Sequence, residues 1–143
     1  MSDEEKIAIV RHLIERGFSG GDDSVVDEVV APGCIEHQRG NKAGAEGAKQ
    51  VIHTLHTWFS DFSLTIEDVA VMGDMVWFRN VARGVNTGSI MGFPPTGQRV
   101  QVDVFDVARL ENGKIVEHWG VADQLGLLLQ LGLLPRPQAA QRS

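Results

Sequence analysis

Two side chains able to move a proton stand near one turn of the chain. His118 and Asp123, with Trp119 between them, lie within "KIVEHWGVADQLG", where a strand-like run meets a glycine and then an apolar stretch. A carboxyl or imidazole beside an apolar wall is the equipment of general acid/base chemistry, because burial and neighbours can tune it toward neutral pH. Asp106 joins them. In "RVQVDVFDVARL" strand alternation puts Val100, Val102, Val104, Ala108 and Leu110 on one face, and Asp106 is the charged member of that apolar row. An unpaired carboxylate there is costly, so two readings stay open: an ion pair with an arginine such as Arg79, or a carboxyl tuned for reaction. Asp123 also has two readings, a helix N-cap or an acid/base group at the mouth of whatever cavity the sheet encloses. The same alternation puts Ile115, Glu117, Trp119 and Val121 on one face and His118 with Val116 on the other, with a bulge expected at Gly120.

Other chemistry-bearing residues carry weaker patterns. His37 closes a short strand after Cys34, on a cavity wall or at the surface. His53 and His56 stand at i, i+3, but zinc requires three or four ligands and no cysteine or carboxylate lies at matching spacing. They read as a solvated helix flank, and no metal is expected. "GFPPTG" lacks the lysine of a phosphate loop, and no serine or cysteine has a nucleophile's context. Cys34 reads as a small buried hydrophobe. Trp58, Phe59 and Phe62 read as core, on a wall that a ligand cavity would share.

The elements that must position these groups change character midway. Ser2 and Glu5 form a capping box ahead of Ile7, Val10, Leu13 and Ile14 at helical spacing. "SGGDDS" interrupts, and "VVDEVV" predicts a short helix closed by Pro32 and Gly33. "CIEHQ" predicts a strand. Ala48, Val51, Ile52, Leu55, Trp58, Phe59 and Phe62 predict one helical stripe. Strands follow: "LTIEDVAVM" and "MVWFRNVARG" around Gly73-Asp74, then "RVQVDVFDVARL" and "KIVEHWGVA" around "ENG". Helices first and strands after predict an α+β fold, with helices on one face of a curved antiparallel sheet. A single domain over 1–134 and a mobile tail over 135–143 are expected.

Composition narrows the partners. A hydrophobic content of 43% with 22% charged residues fits a globular chain. A net charge of -6 argues against nucleic acid as a partner. No apolar run reaches the roughly 18 residues of a membrane span. The acidic start "MSDEEK" does not resemble a signal peptide, and a lone cysteine points to a reducing cytoplasm.

The stretch "NTGSIMGFPPTGQRVQVDVFDVARLENGKIVEHWGVADQLGLLLQLG", with "SGGDDSVVDEVVAPGCIEH" before it, resembles the SnoaL-like polyketide cyclase (ester cyclase) family over about residues 5 to 132. The resemblance implies a cone-shaped α+β barrel of the nuclear transport factor 2 and ketosteroid isomerase type, with a deep pocket open at one end. It implies an intramolecular aldol cyclisation of an apolar, polyketide-like carbonyl compound without a cofactor. Asp123 falls at the family's acid/base aspartate, and Asp106, His37 and His118 fall at positions near the pocket. The resulting assignment is Asp123, His118 and Asp106 as catalytic, with His37, Trp58, Phe59, Asn80, Trp119, Met91 and Phe93 contacting substrate. A non-catalytic binder of an apolar small molecule, and an isomerase or hydrolase on the same scaffold, are the alternatives. The chain departs from the pattern at Asn86-Thr87-Gly88, where many relatives read His-Thr-Gly, and at Asn80, where an aromatic residue is common. It has no tyrosine, so an oxyanion donor must be His, Trp, Asn or backbone. The leucine-rich run from Leu125 to Leu134 exceeds what one face of a short helix can bury, and relatives commonly pair through their sheets. A homodimer is therefore expected, with Gln101, Asp103 and Phe105 near the contact.

Overall fold

The computed structural model describes residues 1–135, so most of the expected tail lies outside the described residues. Helix α1 (Asp3–His12) starts where predicted: Ser2 is extended and its hydroxyl accepts from the Glu5 amide. The chain then runs on with wider π-type turns over Leu13–Ser19. Helix α2 (Ser24–Val29) passes directly into β1 (Val30–Glu36). Pro32 and Gly33 therefore lie inside a strand and do not close the helix. They are tolerated because β1 is a sheet edge, where a missing amide donor is harmless.

Helix α3 (Gly44–Trp58) ends before the predicted stripe does, four residues short of Phe62. Phe59 and Phe62 belong to β2 (Phe59–Met72), which pairs through the Gly73-Asp74 turn with β3 (Met75–Asn86). Strands β4 (Arg99–Glu111) and β5 (Lys114–Ala122) form the second hairpin, around Asn112 and Gly113, both at positive φ. Helix α4 (Gln124–Gln130) follows at once.

Among the described residues one sheet forms in the order β1-β5-β4-β3-β2. It is antiparallel except at β1, which runs parallel to β5. The core lies between its concave face and the helices. Val10, Ile14, Val26 and Ile52 from the helices meet Leu64, Val76, Phe78, Val102 and Leu110 from the sheet. The row Val100, Val102, Val104, Asp106, Ala108 and Leu110 faces inward as alternation requires, and Asp106 is buried.

The facing of β5 is different from the sequence expectation. Leu110 pairs with Ile115 and Arg109 with Glu117, so Val116 is the extra residue of a bulge. Register is regular through Gly120, which sits opposite Asp106. Ile115 and His118 therefore line the same interior, while Glu117 and Trp119 face outward.

Candidate active site

The sheet and α3 enclose a cavity of about 460 Å³, within the range of small-molecule sites. Its wall is apolar, with Phe18, Trp58, Phe59, Phe62, Phe78 and Leu127 prominent. Its polar groups fall into two sets.

The first set is an inner network that strand register assembles. Glu36 on β1 is the direct neighbour of His118 on β5, and His118 Nδ1 lies 2.6 Å from Glu36 Oε2. His118 Nε2 lies 2.7 Å from Asp106 Oδ1, a diagonal contact across β5 and β4. A second diagonal brings in β3: Asn80 Nδ2 donates to Asp106 Oδ2 at 2.7 Å. Asn41 Nδ2 also donates to Glu36 Oε1. The contacts need small residues at the direct partners, and these are Ala108 opposite His118 and Gly120 opposite Asp106. A Cβ on Gly120 would stand 2.6 Å from Asp106 Oδ1 and 2.9 Å from His118 Cε1, and would overlap Gln38 Oε1.

This arrangement holds His118 as an imidazolium. Burial alone would lower its pKa, but hydrogen bonds to Asp106 and Glu36, with the charges of the same carboxylates, outweigh that effect and raise it to about 9. Both ring nitrogens are occupied, so His118 orients two carboxylates and has no N–H left for a substrate. Arg79 is not the partner of Asp106, because it pairs with Asp68 on the outer surface. Asn80 is fully buried behind Asp106 and is not among the cavity-lining residues, and its Oδ1 has no partner among the described residues.

The second set lies at the rim. Asp123 is the N-cap of α4, its Oδ1 accepting from the Gly126 amide at 2.9 Å, and it is exposed while lining the cavity. The two readings of Asp123 are thus compatible: one oxygen caps the helix and Oδ2 is uncommitted. Two contacts fix α4. The Asp123 amide donates to the Asp103 carbonyl, and beyond the end of β5 the Gln130 side-chain amide bonds both the N–H and the C=O of Gln101, as a further strand would. Arg39 and Lys42, on the β1–α3 loop, also line the cavity and make no side-chain hydrogen bond or ion pair among the described residues.

Of the expected substrate contacts, the structure brings Trp58 and Phe59 to the cavity wall. His37 and Trp119 stack on each other outside it, centroids 4.8 Å apart, with His37 bonded to Glu117. Met91 and Phe93 stand exposed on the β3–β4 loop, where Asn86 ties the loop base by accepting from the Thr96 amide and donating to the Trp58 carbonyl. His53 bonds Asp23 and His56 the Phe18 carbonyl, which accounts for their spacing. Cys34 is buried, and burial pushes its thiol up to about 11, with Glu36 and Glu117 adding to the effect, so it is no nucleophile. Sequence reading missed Glu36. In a strand ending at Glu36-His37, the parallel pairing with β5 decides which of the two points inward.

A curved mixed sheet over N-terminal helices, with a carboxylate-bearing apolar cavity, defines an α+β fold of the nuclear transport factor 2 type. The chain belongs to the SnoaL-like polyketide cyclase family, whose model matches residues 8–131. It is 29% identical to aklanonic acid methyl ester cyclase DauD of Streptomyces sp. strain C5, over 89% of this chain and 81% of that protein. It is 31% identical to aklanonic acid methyl ester cyclase AcmA of Streptomyces galilaeus, over 96% and 97%. Among solved structures, TsrD from Streptomyces laurentii superimposes with a TM-score of 0.86 at 29% identity, covering 94% of this chain and 99% of that one.

Proposed function

We propose that the chain is a cyclase that closes a carbon ring by intramolecular aldol addition within an apolar, polyketide-derived ester, with Asp123 as the acid/base group and no cofactor. The observation that carries this reading is the Asp123 carboxylate, held at the rim of an apolar cavity with Oδ2 uncommitted. Oδ2 takes a proton from the carbon α to one carbonyl, and the resulting enolate carbon attacks a second carbonyl carbon. A C–C bond forms, the attacked oxygen becomes an alkoxide, and Asp123 returns its proton there. The substrate is isomerised and the enzyme is unchanged. Arg39 and Lys42, unpartnered on the same cavity, are placed to favour developing negative charge. His118 and Asp106 act through position: together they keep Glu36 and the adjoining wall in register.

The test uses aklanonic acid methyl ester as the first substrate of a panel of polyketide esters, with ring closure followed by chromatography. Asp123→Asn should lower turnover roughly 100-fold or more while anilinonaphthalene sulfonate still binds the cavity. A wild-type chain that binds such esters with no ring closure across the panel would instead support a non-catalytic binder.

We further propose that two copies pair through the outer sheet face. Trp77, Phe105 and Val121 are exposed there beside Trp119, a contiguous apolar surface that favours association. Gln101, by contrast, is engaged with Gln130 and Arg83. A light-scattering mass of 15.6 kDa, the single chain, would refute the pairing. No described helix is long and apolar enough to cross a membrane, and the buried lone Cys34 supports a cytoplasmic setting.

A further inference from the structure

We propose that Gly126 is a positioning residue for Asp123, and that the missing side chain at 126 serves the reaction and not the fold. The inference rests on the reading of Asp123 as the proton-transferring group. Gly126 lies in the first turn of α4 with an ordinary helical backbone, not a left-handed one. Glycine is a poor helix former, so neither propensity nor conformation calls for it there. The reason lies in what surrounds it. A Cβ built on Gly126 would overlap Asp123 Oδ2 and stand 2.7 Å from Asp123 Cγ and 3.1 Å from Oδ1, and these are its nearest atoms apart from its chain neighbours and the helix backbone. The carboxylate occupies the space that any other residue at 126 would fill.

An ordinary N-cap makes no such demand. At α1 the cap Ser2 has ψ 165° and bonds the amide of Glu5, a residue with a full side chain at the equivalent position. Asp123 departs from that geometry, with ψ 76°, and its carboxylate lies over the glycine. An alanine at 126 would meet only the end of a flexible side chain, so the fold can accept it by letting the carboxylate turn away. Capping can then continue in the ordinary geometry while Oδ2 leaves its place at the rim.

The test is Gly126→Ala beside Asp123→Asn and the double variant, with aklanonic acid methyl ester as substrate, anilinonaphthalene sulfonate as cavity probe, and carboxyl-carbon NMR of the Asp123 side chain. Gly126→Ala should leave Tm equal or higher and probe affinity within about twofold, since propensity improves. It should lower kcat roughly 10- to 100-fold with little change in KM, as a misplaced reacting group does. It should also move the Asp123 carboxyl resonance. On the Asp123→Asn background it should cost nothing more, because the group it positions is already gone. An unmoved resonance, a kcat within threefold of wild type, or a loss that follows Tm or probe affinity would overturn the inference. If Asp123→Asn itself turns over normally, the reading of Asp123 falls and this inference with it. If only Gly126→Ala is silent, the inference falls alone.

Discussion

The inner network and the rim of the cavity use the same residue types to opposite ends. Inside, Glu36, His118, Asp106 and Asn80 spend their hydrogen bonds on one another, and among the described residues the single unmet atom of the network is the buried Asn80 Oδ1. At the rim, Asp123 keeps one oxygen uncommitted, and Arg39 and Lys42 have no partner among the described residues. A buried polar group left free is costly, and the interior carries that cost at the one amide oxygen, whereas the free groups of the rim can meet water or substrate. The difference supports the proposed division, with position in the interior and chemistry at the rim.

The largest effect that could break this comparison is at the rim. Asp123→Asn should lower ring closure roughly 100- to 10,000-fold, the range for loss of an acid/base group, with Tm nearly unchanged. Steady-state rates and thermal melts check both halves. Next is Asp106→Asn. The new amide presents an NH₂ to either His118 Nε2 or the Asn80 NH₂, so the network must give up the imidazolium proton or turn the Asn80 amide, and a charged pair is lost either way. Chemical denaturation should show a loss of about 1–3 kcal/mol, and turnover should fall less than with Asp123→Asn.

The pH dependence comes third. The folded-state pKa of His118 is raised above its usual 6.5, to about 9. Its stabilisation is therefore complete below about 6.5 and is lost as pH rises through about 9. Melts of the wild-type chain should show a decline between about pH 7 and 9.5 that His118→Gln lacks, whereas a decline of equal size in His118→Gln would assign it to other groups. The smallest effect is Arg79→Ala, which removes an outer-surface pair with Asp68 and should leave both Tm and turnover unchanged.

Much of the fold could be read from local pattern. The α+β order, both hairpins, the Ser2 cap and the inward row bearing Asp106 all follow from periodicity and turn chemistry over a few residues. The candidate site was legible in part. Asp106 stood out as a charge in an apolar row, and Asp123 as the residue at a strand-to-helix junction. The Asp106 partners were not legible, because they come from β5 and β3 through diagonal contacts that only register creates. Glu36 and His37 could not be told apart for the same reason: the sheet edge they join is a parallel pairing over a long sequence separation. The bulge at Val116 left no glycine to mark it, and it reversed the facing of Ile115 relative to Glu117. Where the helix of Trp58 stops was also hidden, since Phe59 and Phe62 continue its spacing while already lying in β2.

Proton abstraction can be separated from ring closure, and that separation tests the division between rim and interior most directly. A polyketide ester lacking the acceptor carbonyl can exchange its α-proton with deuterated solvent but cannot cyclise. The wild-type chain and His118→Gln, so long as it remains folded, should both catalyse that exchange, while Asp123→Asn should not. Exchange at the wild-type rate by Asp123→Asn, with loss in folded His118→Gln, would place the base in the inner network and contradict the account.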